Sequence, residues 1–518
     1  MSRVEKPKPT NLKPQIGKGD ALISAALSAV IPGLGQFRNR QRSKGLVIFL
    51  VFVAAIAVEL LTSDYFTMSE WLQRYPLQEG ETLHLFRDFG GFFTTGMWGL
   101  FTLGVLTRGV SYRGQTMETY SRNIRFRNAD NSVTLLGKGL ITLMFVAFLV
   151  MIYVINVRDA YKVRLAHNNG EEVLTGKRML VDLWDRSLPY FLMAPLAVAL
   201  GFFSIIPILF SFLLAFTNYT YRIQVPNNLI KWVGFENFTT FLGDPGWLKI
   251  FGQVFLWTIL FAIMASFTCY VLGMINALVI ESKAVKAKKF WRTILILPWA
   301  IPGMISLMVF KNAFDTQGLI NKILHATDTM KPVSGFLYNI GLQGRPDATI
   351  YWFSQPYNGA LAKAVIVVVN LWLGAPYFMM LITGTLTTLP ADLYEAASID
   401  GATGSQKFRY LTLPLILRST APAIIMTFTH NFNNFGSIYF LTGGGPNWSL
   451  ADVPLSLRVM GGAPGQTDIL ISWIYKLSFT GNSQLYNVAS VYSIFIFVLI
   501  SIFSVVNLSR QKSLWEEF

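Results

Sequence analysis

The stretch EAASIDGATGSQKFRYLTLP, residues 395 to 414, interrupts a chain that is otherwise more than half hydrophobic. Pro390, just before it, can open a helix, and Ala391, Leu393, Glu395, Ala396 and Ala397 are mostly good helix formers. Gly401 then permits a sharp turn, and a second short helix can run to Pro414, which ends it before the next apolar run. The residues describe a rigid two-helix elbow between two spans. Its small side chains let another protein approach closely, and Glu395 and Asp400 offer carboxylates to basic residues on such a partner. A plain surface loop of helix formers fits the same residues equally well.

Working outward, 53% of the 518 residues are hydrophobic and only 14% are charged, and apolar stretches near twenty residues recur. The chain reads as an all-α polytopic membrane protein surrounded by lipid. Its net charge of +15 is a topological signal, because surplus Lys and Arg mark cytoplasmic loops, and nucleic acid is not implied. The single cysteine, Cys269, falls inside an apolar run, so it has no disulfide partner and reads as packed or lipid-facing.

Residues 1–43 combine a basic, proline-rich cytoplasmic tail with ALISAALSAVIPGLGQFRNRQ (21–41), which Pro32, Gly33 and Gly35 break into an interfacial or re-entrant segment. Spans are expected near 44–62, 136–157, 190–217, 250–280, 293–313, 362–385, 419–442 and 486–508. The ambiguous stretch GFFTTGMWGLFTLGVLTRG (91–109) is read as external and interface-lying. If it spanned, the basic linkers 158–189 and 282–292 (SKAVKAKKFWR) would fall on opposite sides. Eight spans follow, with both termini, including 511–518, cytoplasmic. The longest external segments, 218–249, 314–361 and 443–485, have the Trp, Tyr, Asn, Gly and Pro content of docked loops facing a partner or a sugar.

The elbow also resembles a known signature. Glu395, Ala396, Ala397, Gly401, Leu413 and Pro414 match the loop of bacterial ABC importer permeases, in which this elbow docks into a cleft on the ATPase subunit. Further motifs, in order, are FLLAFTNY (212–219), VGFENFTTFL (233–242), ILILPWAIPG (294–303), NLWLGAPYFMM (370–380), HNFNNFGSIYFLTGGGP (430–446) and TDILISWIYKLSF (467–479). They look like the larger permease subunit of maltose, maltodextrin and galacto-oligosaccharide importers. IPGLGQF (31–37) with its following span is similar to the variant in maltodextrin and arabinogalactan-oligomer permeases, which lack a large insert after FTNY. The resemblance implies a type I importer core of six helices over 185–510, its coupling loop at 390–414, with 44–184 as an extension of two helices. It implies that Glu395, Ala396, Ala397, Asp400 and Gly401 couple to the ATPase. It also implies a bacterial cytoplasmic-membrane protein with a second permease subunit, two ATPase subunits and an extracellular or periplasmic sugar-binding protein.

Polar side chains inside spans are costly and face a cavity or a neighbouring helix. Asn370, Gly374 and Tyr377 share a helical stripe at i, i+4 and i+7, beside Leu373; Asn431 and Asn434 suggest a second stripe, and Trp299 with Gly303 a third. Asn amides suit sugar hydroxyls and aromatic faces suit a pyranose, yet interhelical hydrogen bonding alone accounts for one or two asparagines. The resemblance favours a sugar site at Trp299, Gly303, Asn370, Leu373, Gly374, Tyr377, His430, Asn431 and Asn434. Maltose permeases carry Tyr at Trp299, Ser at Gly303 and Phe at His430, so the departure leaves the particular oligosaccharide open, and His430 can equally be a packing histidine.

No G-x-x-x-x-G-K-[ST] loop occurs, so ATP and its Mg belong to the partner ATPase and this chain carries no cofactor. Paired cysteines, H-E-x-x-H and a nucleophile elbow are missing, so no metal or hydrolytic site is indicated and the chain reads as a transport subunit, not an enzyme. An intramembrane enzyme would want interfacial acids, which the reading of the spans does not supply, and an ion-coupled secondary sugar transporter would want intramembrane carboxylates or inverted repeats.

Overall fold

Backbone groups in hydrocarbon have no water to bond, so a chain of this composition must satisfy them within helices. The computed structural model obeys this. It describes residues 18–515 except 75–84, 105–129, 172, 175, 224–227, 283, 347–348, 356–357, 450, 455–456, 459–461 and 481–483. The tail 1–17, the C-terminal 516–518 and the end of the 91–109 stretch therefore lie outside the described residues. Those described are helical or irregular, with two isolated bridges as their only β pairing. Among the described residues six helices are long and apolar enough to cross a membrane: Arg42–Thr62, Ser132–Asn168, Trp184–Leu214, Pro245–Glu281, Ala360–Thr388 and Gly404–Phe432. A seventh candidate is the bent pair Lys288–Ala300 and Gly303–Ala313. The expected eighth corresponds to Tyr486–Trp515, whose apolar part Tyr486–Ile502 is shorter.

Two compact units result, one of residues 1–218 and 223–232, the other of 219–222 and 233–518. Residue 185 falls inside the helix Gly176–Leu200 of the first unit. In that unit Lys18–Val30 and Leu34–Arg38 form a short hairpin against Ser132–Asn168. Its polarity is inverted. Ser24, Ser28, Gln36 and Asn39 are buried, whereas Leu22, Ile23, Val30 and Ile31 are exposed, the arrangement a segment bathed in lipid requires. The buried groups are bonded: Asn156 Nδ2 donates to the Ser28 carbonyl at 3.0 Å, Gln36 Nε2 to the Asn156 carbonyl at 2.9 Å, and Asn39 Nδ2 to the Ala160 carbonyl at 2.8 Å. Gly33 turns the hairpin at φ 91°. Ion pairs fasten its rim, with Asp20 between Arg164 and Arg38, and Lys44 Nζ 2.6 Å from Asp159.

The ambiguous stretch contains the helix Phe92–Thr102 of 11 residues. At 1.5 Å per residue it is about 16 Å long, half the hydrocarbon thickness. Its N-terminus is held by Glu59, whose carboxylate accepts from the backbone N–H groups of Gly91, Phe93 and Thr94 at 3.0, 2.8 and 3.3 Å. Glu59 corrects the reading of the spans as free of acids, since it sits in the last turns of Arg42–Thr62. Its charge is spent on orphan helix donors.

The second unit is organised by Pro245–Glu281 against Ala360–Thr388, its most extensive helix pair. A Cβ on Gly273 would lie 2.5 Å from Phe378 Cβ and 2.8 Å from the Ala375 carbonyl, so only glycine allows this approach. Leu413–Phe432 packs on the same helix, with the Tyr270 and Thr420 hydroxyls 3.0 Å apart. The segment 314–361, expected as a docked loop, carries two short helices among its described residues, Leu319–Ala326 and Met330–Asn339. Asn321 joins it by donating to the Ile350 carbonyl and accepting from Trp352 Nε1, both at 2.9 Å. Near 443–476, the buried Asp468 carboxylate accepts from Ser472 Oγ, Gly465 N and Lys476 Nζ at 2.8, 2.6 and 2.6 Å.

Replacing Gly273 by Leu should cost about 1–3 kcal/mol or more through overpacking and deplete folded protein in size-exclusion profiles of detergent extracts. Gly303→Ala, whose added Cβ meets nothing within 4 Å, should leave the profile unchanged. A pH dependence follows from Asp20. The hydrogen bond from Arg164, with the Arg38 charge adding to it, holds this carboxyl below the usual carboxylate range. A depressed pKa stabilises the folded state above the unfolded pKa, and that contribution is lost as pH falls through the folded value. The fall in melting temperature on acidification should therefore be smaller in Asp20→Asn than in the parent protein.

Candidate functional site

Proline and glycine decide where the candidate residues go. Pro302 lacks an N–H, and Ile301 before it is extended (φ −83°, ψ 135°), so the helix stops at Ala300 and restarts at Gly303 across an 87° bend. Trp299 and Gly303 thus lie on different helices, and the expected i, i+4 stripe between them is corrected to a corner. A second break falls at Asn433, where Leu413–Phe432 ends and Phe435–Leu441 begins. Asn431 and Asn434 do not share a helical stripe either. Asn434 is the N-cap of the new helix and accepts from the Ser437 N–H at 3.1 Å.

The three asparagines nevertheless converge. Asn434 Nδ2 donates to Asn370 Oδ1 at 3.1 Å and reaches Asn431 Oδ1 at 3.4 Å. Asn431, only 2% exposed, donates from Nδ2 to Ser266 Oγ at 3.0 Å on Pro245–Glu281. Asn370 is also buried, its amide facing Cys269 Sγ at 3.8 Å while the thiol donates to the Asn370 carbonyl at 3.5 Å. Gly374 has its own packing reason, since a Cβ there would meet Cys269 Sγ at 2.7 Å.

Around this cluster lies a more open layer. Trp299 is 58% exposed, its ring centroid 6.3 Å from that of Tyr377 at a tilt of 36°. Gly303 and His430 are exposed and Leu373 is half-buried. Two environments therefore divide the nine candidates: a buried amide cluster that ties helices together and an exposed pair of aromatic rings. Asn433 stays outside the cluster, its amide donating to the Thr429 carbonyl at 3.4 Å. Ser266 was missed from the sequence. Ser266, Cys269, Tyr270 and Gly273 are all buried at i, i+3, i+4 and i+7, a small-polar stripe that would have pointed to the receiving face.

The elbow forms as two helices, with one correction. Ala391–Ile399 starts behind Pro390, and Gly401 turns the chain at φ 76°. Thr403 and Gln406 make a capping box for Gly404–Lys407. Pro414 does not end that helix. A π-helical turn, Phe408–Thr412, carries it into Leu413–Phe432, and that wider turn accommodates Pro414, which has no N–H to give the helix. The same device, Gly201–Ile205, precedes Pro207. Lys407 Nζ bonds Ser398 Oγ at 2.5 Å and the Tyr394 and Thr412 hydroxyls are 2.9 Å apart, which clamps the two arms together. Glu395, Ala396, Asp400 and Gly401 are exposed and Ala397 is half-buried. Ile399 is 86% exposed.

A family described as binding-protein-dependent transport system inner membrane component matches residues 270–511. The galactooligosaccharides transport system permease protein GanP of Bacillus subtilis is 33% identical over 494 residues, covering 95% of this chain and 98% of that one. The maltodextrin transport system permease protein MalC of Streptococcus pneumoniae serotype 4 is 34% identical over 484 residues, covering 92% and 93%. A crystal structure of a bacterial ABC transporter involved in import of the polysaccharide alginate aligns at 20% identity and TM-score 0.45, over 64% of this chain and 99% of that one.

The two environments should separate on substitution. Asn431→Ala leaves Ser266 without its amide and should lower the stability of extracted protein by about 1–2 kcal/mol, read as a reduced melting temperature. Trp299→Ala, at an exposed position, should leave that temperature within a degree or two.

Proposed function

The chain belongs to the family of binding-protein-dependent inner-membrane transport components, and from that premise we propose that it is the permease subunit through which an ATP-driven importer passes an oligosaccharide of the galacto-oligosaccharide or maltodextrin class. It is a multi-pass subunit of the cytoplasmic membrane and supplies no catalysis. The observation that carries the coupling role is the exposed elbow. Ile399 stands out of it, with Glu395, Ala396, Asp400 and Gly401 also exposed and Leu393 and Tyr410 as further exposed apolar side chains. An apolar tip flanked by carboxylates suits a cleft on another protein, and the nucleotide-binding loop this chain lacks must be supplied by such a partner.

In this reading two ATPase subunits close on ATP, each moving one elbow, so a second permease of the same family contributes the other. The clamp between the arms makes the elbow move as a body, and its continuous passage through Phe408–Thr412 into Leu413–Phe432 delivers that movement to the helix that carries His430 and Asn431. The elbow end is cytoplasmic, as are both termini, following the basic linkers. A sugar-binding protein docks on the opposite face and releases its cargo to the site. There Trp299 and Tyr377 stack a pyranose and the amides of Asn434 and its neighbours take hydroxyls. Rearrangement of the amide cluster accompanies the switch, since Asn431 and Asn370 are already bonded in this conformation.

Uptake of radiolabelled maltotriose and β-1,4-galactotriose by cells carrying the complete transporter tests the reading. One of the two sugars should enter. Trp299→Ala should slow it at least tenfold with the complex still assembled, whereas Glu395→Lys should abolish both uptake and retention of the ATPase subunits on purification. Entry of neither sugar into wild-type cells sinks the substrate class, and full uptake by Glu395→Lys sinks the coupling role.

A further inference from the structure

In the first unit the helix Ser132–Asn168 carries a stripe of exposed side chains whose two ends differ in chemistry. Lys162, Arg158, Ile155, Met151 and Phe148 follow one another at steps of three or four, the spacing of one helix face, and all are exposed. Lys162 and Arg158, one turn apart, form no ion pair among the described residues, and the carboxylates nearest in the chain and across the hairpin are already engaged. Asp159 is held by Lys44, and Asp20 by Arg38 and Arg164. Below Arg158 the stripe is apolar, with Ile155, Met151 and Phe148 58%, 51% and 53% exposed. The hairpin fixes the level at which charge gives way to apolar surface. Asp20 meets Arg164, whereas the carbonyls of Ser28 and Ala29 accept from Asn156 Nδ2 and the Tyr153 hydroxyl at 3.0 and 2.8 Å. Lys18–Val30 therefore runs antiparallel to the long helix, its charged start at the level of the two cations and its exposed Val30 and Ile31 at the level of the apolar side chains.

We propose that this stripe binds an anionic phospholipid, its phosphate held by Arg158 and Lys162 and an acyl chain lying along Ile155, Met151 and Phe148. From Arg158 to Phe148 the helix rises about 15 Å, the hydrocarbon depth of one leaflet. An occupant with an anionic end and an apolar body of that length is a phospholipid. A soluble anion would meet the two cations and leave the apolar side chains bare. A helix of another subunit would want a different surface, because helices associate in lipid through small residues that let backbones approach. Gly273 does this in the second unit, whereas this stripe is built of large side chains. Two cations without carboxylates favour a lipid of net negative charge over a zwitterionic one, whose ammonium group they repel. The site lies wholly in the first unit and does not depend on which solute is carried.

Native mass spectrometry of the assembled transporter, delipidated in detergent and titrated with phosphatidylglycerol or phosphatidylcholine, tests the site. Phosphatidylglycerol should bind the more tightly, and Arg158→Gln and Lys162→Gln should each weaken it about fivefold while leaving phosphatidylcholine unchanged. Arg158→Lys, which keeps the charge, should lose less than Arg158→Gln. Lys138→Gln, at an exposed position near the opposite end of the same helix, should change nothing. Glycerol 3-phosphate, which has the headgroup phosphate without acyl chains, should not compete at equal concentration. The melting temperature of each variant without lipid should match that of the parent, which separates a lost lipid from a lost fold. Equal affinity for the two lipids, undiminished binding by the Arg158→Gln, Lys162→Gln double variant, an equal loss in Lys138→Gln, or displacement by glycerol phosphate overturns the site. So does release of a companion subunit from the double variant with phosphatidylglycerol still bound, which would assign the stripe to a protein partner.

Discussion

Everything in the second unit depends on how closely Pro245–Glu281 approaches Ala360–Thr388. In lipid, apolar surface gives helices no reason to prefer each other over acyl chains, so association rests on close packing and on polar contacts that short distances permit. Gly273 and Gly374 set that distance, one admitting Phe378 and the Ala375 carbonyl, the other admitting Cys269. Once the backbones are this near, Cys269 can reach Asn370, and Ser266 can receive Asn431 from a third helix. The asparagine cluster is therefore a consequence of two missing side chains on facing helices.

The same economy governs the elbow. It has no buried core of its own, and its shape comes from a proline start, a left-handed glycine, a capping box and two side-chain clamps. Such an element holds its form with its apolar tip uncovered, which a loop depending on core burial cannot do. Its rigidity and its exposure have one cause: the stabilising contacts are local and polar.

Most of the spans, the elbow and the membrane character were legible because hydrophobic length and the Pro390 to Gly401 spacing are local signals. What was not legible depended on which of two local outcomes the tertiary structure selected. Pro302 and Pro414 look alike in sequence, each preceded by an apolar residue. One breaks its helix by 87° while the other is absorbed by a π-helical turn. Asn434 reads as a span residue, yet it caps a new helix because the chain breaks at Asn433. Partners such as Ser266 are invisible to periodicity searches centred on large polar residues, since a serine in an apolar run costs little and stands out little. Glu59 was overlooked because it serves a helix more than thirty residues away.

The inverted hairpin at the start of the chain bears on how the protein is made. Gly33 N bonds Asn156 Oδ1 across a sequence separation of 123 residues, and the amides of Gln36 and Asn39 reach the same helix, whereas Ser24–Asn39 and Ser28–Gln36 close within the hairpin. At about 5–20 residues per second of synthesis, the hairpin leaves the ribosome roughly 6–25 seconds before its partners exist. In that interval Ser24 can bond Asn39 and Ser28 can bond Gln36 within the hairpin, but the amide donors of Gln36 and Asn39 and the Gly33 N–H have only water. The remaining donors are satisfied only once the helix of Asn156 is in place, so the hairpin acts as a latch that closes after that helix has been threaded.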